Sequence, residues 1–301
     1  MSIELETWSS GATARLGALA AHASLQPEFE SLLGEGLGRM MGDAFNREDC
    51  RHLATIRGED AGFGYALLVP TADGPFAAYR IGVLERFRRL GVATALHAAM
   101  RVKVAEVAPE IHEHEMGAFL PAPAAEAFAT RHGFSASRAY WLMERPPVDL
   151  PEPVWPVGIS IRRFDASDDD VRLWVAVFNA AWREHHHPIL ATFENIRRDV
   201  DGGRVDPKSV YFAVRGGTPV GFVRGALLES RGEVAVLGVV PEARGLGLGR
   251  ALLRFGGRWL IEHGARRVTL YVDGENERAL RLYRQEGYEV IRTRRLWSRQ
   301  D

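Results

Sequence analysis

The chain has 301 residues and a formal charge of −1, with 46% hydrophobic and 26% charged residues. One domain takes roughly 100–200 residues, so this is globular material for two ordinary cores. The near-zero charge excludes a global field for nucleic acid or an anionic membrane. No stretch reaches the ~20 apolar residues that span a bilayer, and the first ten residues, with Glu4 and Glu6, do not read as a signal peptide. The single cysteine, Cys50, cannot close an internal disulfide and reads as a small buried side chain in a cytoplasmic protein.

In the first half, 64–69 and 76–83 read as strands, 89–107 and 124–132 as helices, and 137–143 as a closing strand. His112, Glu113, His114 and Glu115 read as a solvated cluster. Five prolines between 146 and 156 suit neither a helix interior nor a central strand. They predict a stiff linker over 147–157 between an N-terminal domain, 1–146, and a C-terminal domain, 158–301. In the second half, 159–164 reads as a strand and 168–183 as a helix. Asp168, Asp169 and Asp170 lie in its first turn, and Val171, Trp174, Val175 and Phe178 give it an apolar face. A helix over 192–200 follows. A hairpin, 210–214 and 220–228, turns at Gly216-Gly217. The remaining elements are a strand at 233–240, a helix at 247–263, a strand at 267–272, a helix at 276–286, and strands from 288, of which 292–299 reads as a solvated edge or as contacts to an anionic acceptor or cofactor phosphate. The order predicts an α/β fold with a mixed sheet.

Two pairs of motifs recur. Arg88-x-x-Gly91-x-Ala93 matches Arg244-x-x-Gly247-x-Gly249 at an offset of 156 (244 − 88), and His132-Gly133-Phe134 matches Glu286-Gly287-Tyr288 at 154 (288 − 134). The same order at nearly the same offset reads as a duplication. In the second copy an apolar strand runs into a glycine-rich turn that opens a helix. Glycines let backbone approach a ligand closely, and free N–H groups at a helix start favour a diphosphate. A dinucleotide-binding G-x-G-x-x-G fails because Arg250 occupies the third glycine position, and no Gly-Lys-Ser/Thr is present.

Arg244-x-x-Gly247-x-Gly249, together with Asn276-x-x-Ala279-x-x-x-Tyr283-x-x-x-Gly287-Tyr288, resembles the two signatures of the Gcn5-related N-acetyltransferases (GNAT). The resemblance covers 158–301 and, in degenerate form, the first half, so it implies two tandem GNAT-type domains using acetyl-coenzyme A. It implies that the backbone of Leu237, Gly238 and Val239 pairs with the pantetheine arm. The turn of Arg244, Gly245, Leu246, Gly247, Leu248, Gly249 and Arg250 then holds the pyrophosphate, the two arginines adding charge. Asn276 and Arg278 sit beside the cofactor, and Tyr283 protonates the departing thiolate. Glu233, the lone acid at the entrance to an apolar strand, is the candidate base. In the first half the offsets replace Glu233, Tyr283 and Asn276 by Ala77, Ala129 and Ala122, which predicts a non-catalytic copy. Ile81, Val83, Arg88, Arg89, Gly91, Val92, Ala93 and Thr94 mark a possible second cofactor site. Residues 141–146, 232–241 and 270–276 resemble one subfamily, the mycothiol synthases, which acetylate a cysteinyl amino-sugar. Trp182, Glu184 and His186 are weak acceptor candidates. Their three neighbouring histidines, 185–187, do not read as a metal site, because adjacent side chains do not converge on one ion. The expected partner is a small-molecule amine, the expected state a monomer or homodimer. A non-catalytic acyl-coenzyme A sensor is the alternative class.

Overall fold

The computed structural model describes all residues except 1, 9, 27, 30–31, 33–39, 41–44, 148–149, 186–187 and 229–230. The chain divides into two compact units, Met1–Arg138 with Arg294–Asp301, and Ala139–Thr293. No helix among the described residues is long and apolar enough to cross a membrane.

Unit 1 contains β1 (Ile3–Thr7), α1 (Thr13–Ala21), β2 (Arg51–Ile56), β3 (Glu59–Val69), β4 (Phe76–Val83), α2 (Val92–Val107), β5 (Glu113–Phe119) and α3 (Pro123–Arg131). β1 to β4 pair antiparallel in chain order, and β4 pairs parallel with β5. β6 (Ser135–Arg145) begins in this unit. Unit 2 contains β7 (Ile159–Arg163), α4 (Asp168–Trp182), α5 (Phe193–Asp201), β8 (Val210–Arg215), β9 (Thr218–Leu228), β10 (Arg231–Val239), α6 (Leu248–Glu262), β11 (Arg267–Asp273) and α7 (Glu277–Gln285). β7 to β10 pair antiparallel, and β10 pairs parallel with β11. The strand plan of one unit therefore repeats in the other, as a duplication requires.

The closing strands are exchanged relative to the sequence halves. Residues 140–145 of β6 pair antiparallel with β11 and complete unit 2. Residues 294–300 of β12 (Glu289–Gln300) pair antiparallel with β5 and complete unit 1. The proline-rich segment lies inside unit 2, where Leu150 packs on Gly257 and its carbonyl accepts from Arg258. Because Leu296 and Trp297 are buried, the segment 292–299 is not the solvated edge that its alternating arginines suggest. Trp297 belongs to the core beneath α2, with Leu96, Met100 and Tyr79. Trp297→Ala is expected to cost about 3–5 kcal/mol and to raise hydrogen exchange in β5 and α2. Fraying confined to β12 would refute that.

Local chemistry accounts for most boundaries. Ser167, Thr192 and Asn276 cap α4, α5 and α7 by accepting from the amides of Asp170, Asn195 and Ala279. Gly216 and Gly217 both have positive φ, which closes the β8–β9 hairpin in two residues. Among the described residues, β1, α1, β2 and β5 escaped the sequence reading. In β5 the buried positions are His114 and Met116, so a polar residue occupies a core position and hides the alternation. His114 is therefore not solvated. Its Nδ1 lies 2.9 Å from the Tyr79 hydroxyl and its Nε2 3.0 Å from Asp301.

Candidate active site

The site is a wedge. β10 holds its register with β11 only at Arg231, Gly232 and Glu233, then keeps β9 alone through Val239. Beyond Glu233 the β11 side of β10 therefore offers main-chain groups that the sheet does not use. Ala235 is a bulge, because the register with β9 shifts between Val234 and Val236. A bulge bends a strand and increases its twist, which suits a strand leaving its neighbour.

The glycine-rich turn stands at the open end of the wedge. Gly245 and Gly247 have φ of 81° and 84°, and a Cβ at either would meet open space. Their conformation, not crowding, demands glycine. Gly247 begins α6, so the first-turn amides of Leu248, Gly249 and Arg250 lack intrahelical acceptors. Leu248 is buried and anchors the turn, whereas Leu246 is exposed. A Cβ on Gly249 would lie 3.7 Å from Leu282 and 4.0 Å from Val239, so β10, α6 and α7 converge there.

Both arginines of the turn are committed to protein partners. Arg244 Nε donates to the Val239 carbonyl at 3.1 Å, and an NH2 donates to the Ala181 carbonyl at 3.0 Å. Its other nitrogen pairs with Glu184. Arg244 thus ties the end of β10 to the end of α4. Arg250 pairs with Glu286 at 2.9 Å and also reaches Gln285. The donors the turn presents are therefore its backbone amides. The same brace recurs in unit 1, where Arg88 donates to the Val83 and Ser24 carbonyls at 3.3 and 2.7 Å. Gly91 has φ 88°, and Arg89, at the position of Gly245, has φ 67°, left-handed without being glycine. Ile81 and Val83 lie on β4, past its last pairing with β5. Val92 is buried like Leu248, Ala93 is half-buried, and Thr94 reaches His132 Nε2 at 3.3 Å.

Glu233 is half-buried on the α4 side of the sheet, and burial pushes its carboxyl above the usual range, opposed by Arg231 and Arg224. Arg224 is a site residue that the sequence reading missed. It is the one charge in the apolar run of β9, 220–228, and that was the available signal. Tyr283 lies on α7, packed against the core of unit 2 with its ring 6.1 Å from that of Tyr288, and burial pushes its phenol up to about 12. It stays protonated across the neutral range. Asn276 spends its carbonyl oxygen on the α7 cap, leaving the amide NH2 as the group able to reach a ligand. Arg278 is exposed on the same helix, near enough to Glu184 to hold that carboxylate down after Arg244 does so more strongly.

Trp182 stacks on Phe178 at 4.6 Å and on His185 at 5.2 Å. It roofs β10 at Gly238, where a Cβ would come within 2.6 Å of Trp182 and of Phe222. Side chains at this position of β10 would fill the wall, so glycine sets its thickness. His186 lies outside the described residues. His185, overlooked in sequence, is the histidine that stands against this wall, and burial holds its imidazole below the ordinary value.

Residues 171–288 match the model of the acetyltransferase (GNAT) family. The chain is 34% identical to a mycothiol acetyltransferase of Catenulispora acidiphila, over 82% of this chain and 81% of that one. It is 36% identical to a mycothiol acetyltransferase of Thermomonospora curvata, over 75% and 74%. Among solved structures it resembles a GCN5-related N-acetyltransferase from Sphaerobacter thermophilus, with TM-score 0.75, 22% identity, and coverage of 99% of this chain and 95% of that one. It also resembles a tandem GNAT protein from the clavulanic acid biosynthesis pathway, with TM-score 0.72, 17% identity, and coverage of 99% and 98%. At those identities the structural likeness speaks for the fold alone.

Proposed function

The chain belongs to the GNAT acetyltransferase family and is an acyltransferase, and from that premise we propose that unit 2 acetylates the primary amine of a small molecule with Glu233 as base and Tyr283 as acid. Acetyltransferases of this family use acetyl-coenzyme A. The residues present suit it, since a glycine turn of open amides and an unzipped strand edge match a diphosphate and a chain of amides. When bound, the thioester supplies an activated acetyl carbonyl. Leu237 to Val239 would orient the arm through main-chain bonds, and the amides from Gly245 to Arg250 would hold the phosphates. Glu233, directly or through a water, takes the proton that an amine must lose. Tyr283 donates its proton to the sulfur that leaves.

The observation that carries this reading is the joint presence of a desolvated carboxylate at the apex of the wedge and a protonated phenol on α7. In unit 1 the sequence offset sets Ala77 and Ala129 in these places, and once the Ala235 bulge is counted Ala78 takes the face of Glu233; all three are buried alanines, and none can move a proton. We read unit 1 as non-catalytic. For the acceptor, identity to mycothiol acetyltransferases over most of the chain favours a cysteinyl amino-sugar. Thiol release from acetyl-coenzyme A with cysteinyl glucosamine, glucosamine, an aminoglycoside and spermidine tests both levels. Turnover with any amine supports acetyl transfer, and preference for the first supports the narrower acceptor. No release with any of them would leave a non-catalytic binding module as the better description.

Gly247→Val should weaken coenzyme A binding at least about tenfold, because a β-branched residue is strained in the left-handed region and the turn must reshape. Calorimetry reads this directly, and unchanged affinity would exclude the turn as the phosphate cradle.

A further inference from the structure

The wedge of unit 2 has a counterpart in unit 1. β4 pairs with β5 over Phe76–Tyr79 only. The next residue is Arg80. Side chains alternate along β4: Ala77 and Tyr79 enter the core beneath α2, whereas Gly82 faces Leu25, Phe29 and Phe63. Arg80 shares the Gly82 face. Tyr65 of β3 lies directly across from it, and Glu115, opposite Ala78, is on the same face. Glu28 and Arg294 complete the surroundings.

These charges are unequally matched. Glu28 accepts from the Phe119 amide at 3.0 Å and pairs with Arg294 at 2.7 Å, so its oxygens are in use. Among the described residues Arg80 makes no hydrogen bond and no ion pair at contact distance, although Tyr65, Glu28 and Glu115 are near enough to favour its charge. Its guanidinium is half-buried and near Arg294, whose charge opposes it. Burial and Arg294 together push it down to about 10, far below an ordinary arginine. A guanidinium brings five donors in a planar fork, and leaving them unmatched in a partly desolvated place costs stability. The fold does not ask for this cation. The equivalent residue of unit 2 is Val236 (80 + 156), packed among the apolar neighbours of α4.

We propose that this face of unit 1 binds a small oxyanion, a carboxylate or a phosphate group of a ligand, through the fork of Arg80. Tyr65 stands across the strand from the fork, while Arg294 is balanced by Glu28, so the attraction for an anion rests on Arg80. The site lies beside the strand end that the duplication would use for a cofactor arm, and it needs neither a base nor an acid.

The test is calorimetric and thermal titration of the full chain with inorganic phosphate and with succinate, at constant ionic strength, for wild type and Arg80→Met. The difference between the two proteins isolates this site from the glycine turns, which both retain. A heat and a Tm rise present in wild type and missing in Arg80→Met support the proposal. A response to both anions defines a general oxyanion site, to phosphate alone a phosphoryl ligand, and to succinate alone a carboxylate ligand. Without anion, Arg80→Met should melt higher than wild type, since an unmatched cation is gone. Arg80→Lys, which keeps charge but loses the fork, should bind about tenfold more weakly and keeps the test open should the methionine variant not fold. Identical titrations for wild type and these variants, with either anion, would overturn the proposal.

Discussion

Glu233→Gln is expected to lower kcat by about 10²–10⁴-fold, the range for loss of a positioned general base, while coenzyme A affinity stays within twofold. The substitution is nearly isosteric and sits at the apex of the wedge, where β10 and β11 part, away from the glycine turn, so cofactor binding has no reason to change. The wild-type pH profile carries a second signature. Burial raises the Glu233 carboxyl, and Arg231 and Arg224 pull the other way. Activity should therefore decline as pH falls through a midpoint above that of an ordinary glutamate, because the protonated carboxyl cannot accept the amine's proton. Glu233→Gln should lose that acidic limb along with most of the rate. A glutamine variant with kcat within threefold of wild type and the limb intact would assign the base elsewhere. Tyr283 remains protonated over the same range, so the limb cannot come from it.

The glycine turn and Glu233 stood out as candidates because each sits in a local pattern, a strand running into Gly245-x-Gly247 and a lone acid before an apolar run, whereas Tyr283 was singled out only through the resemblance of the 276–288 helix to the family motif. What Arg244 does was not legible. Its partners are the carbonyls of Val239 and Ala181, and a backbone carbonyl leaves no mark in sequence. The repeat in unit 1, where Arg88 grips Val83 and Ser24, explains why the motif arginine survives in a copy without catalytic groups. The strand exchange was hidden for a related reason. β6 and β12 each read as the last strand of their own half, and pairing partners this far apart cannot be deduced from alternation (269 − 144 = 125, Thr269 with Glu144; 297 − 116 = 181, Trp297 with Met116). A cut at residue 158 would accordingly leave β11 without β6. β5 stayed invisible because His114, a polar residue, holds a core position through Tyr79 and Asp301.

That histidine is one of four in unit 1 whose imidazoles are depressed, and acid should unfold this unit through them. Burial is the leading cause for His52, His97, His114 and His132 alike. His97 is pushed down to about 4, by burial first and then by His132 and Arg101. It is 3% exposed, its Nε2 has no partner, and it is ringed by Tyr79, Phe128, His132 and Phe134. Folded, His97 stays neutral down to its depressed pKa, whereas unfolded it binds a proton near 6.5. Between those values the unfolded state holds more protons, so stability falls as pH falls and levels off below the folded pKa. For His97 alone the loss at pH 5 is about 2 kcal/mol relative to pH 8. Unit 2 carries Leu253 at the equivalent position (97 + 156), buried in its own core. His97→Leu should therefore raise Tm more at pH 5 than at pH 8, flattening the acid side of the stability curve without touching Glu233 or Tyr283. Equal gains at the two pH values would mean that the benefit is packing alone, and that His97 is protonated in the folded protein as readily as in the unfolded chain.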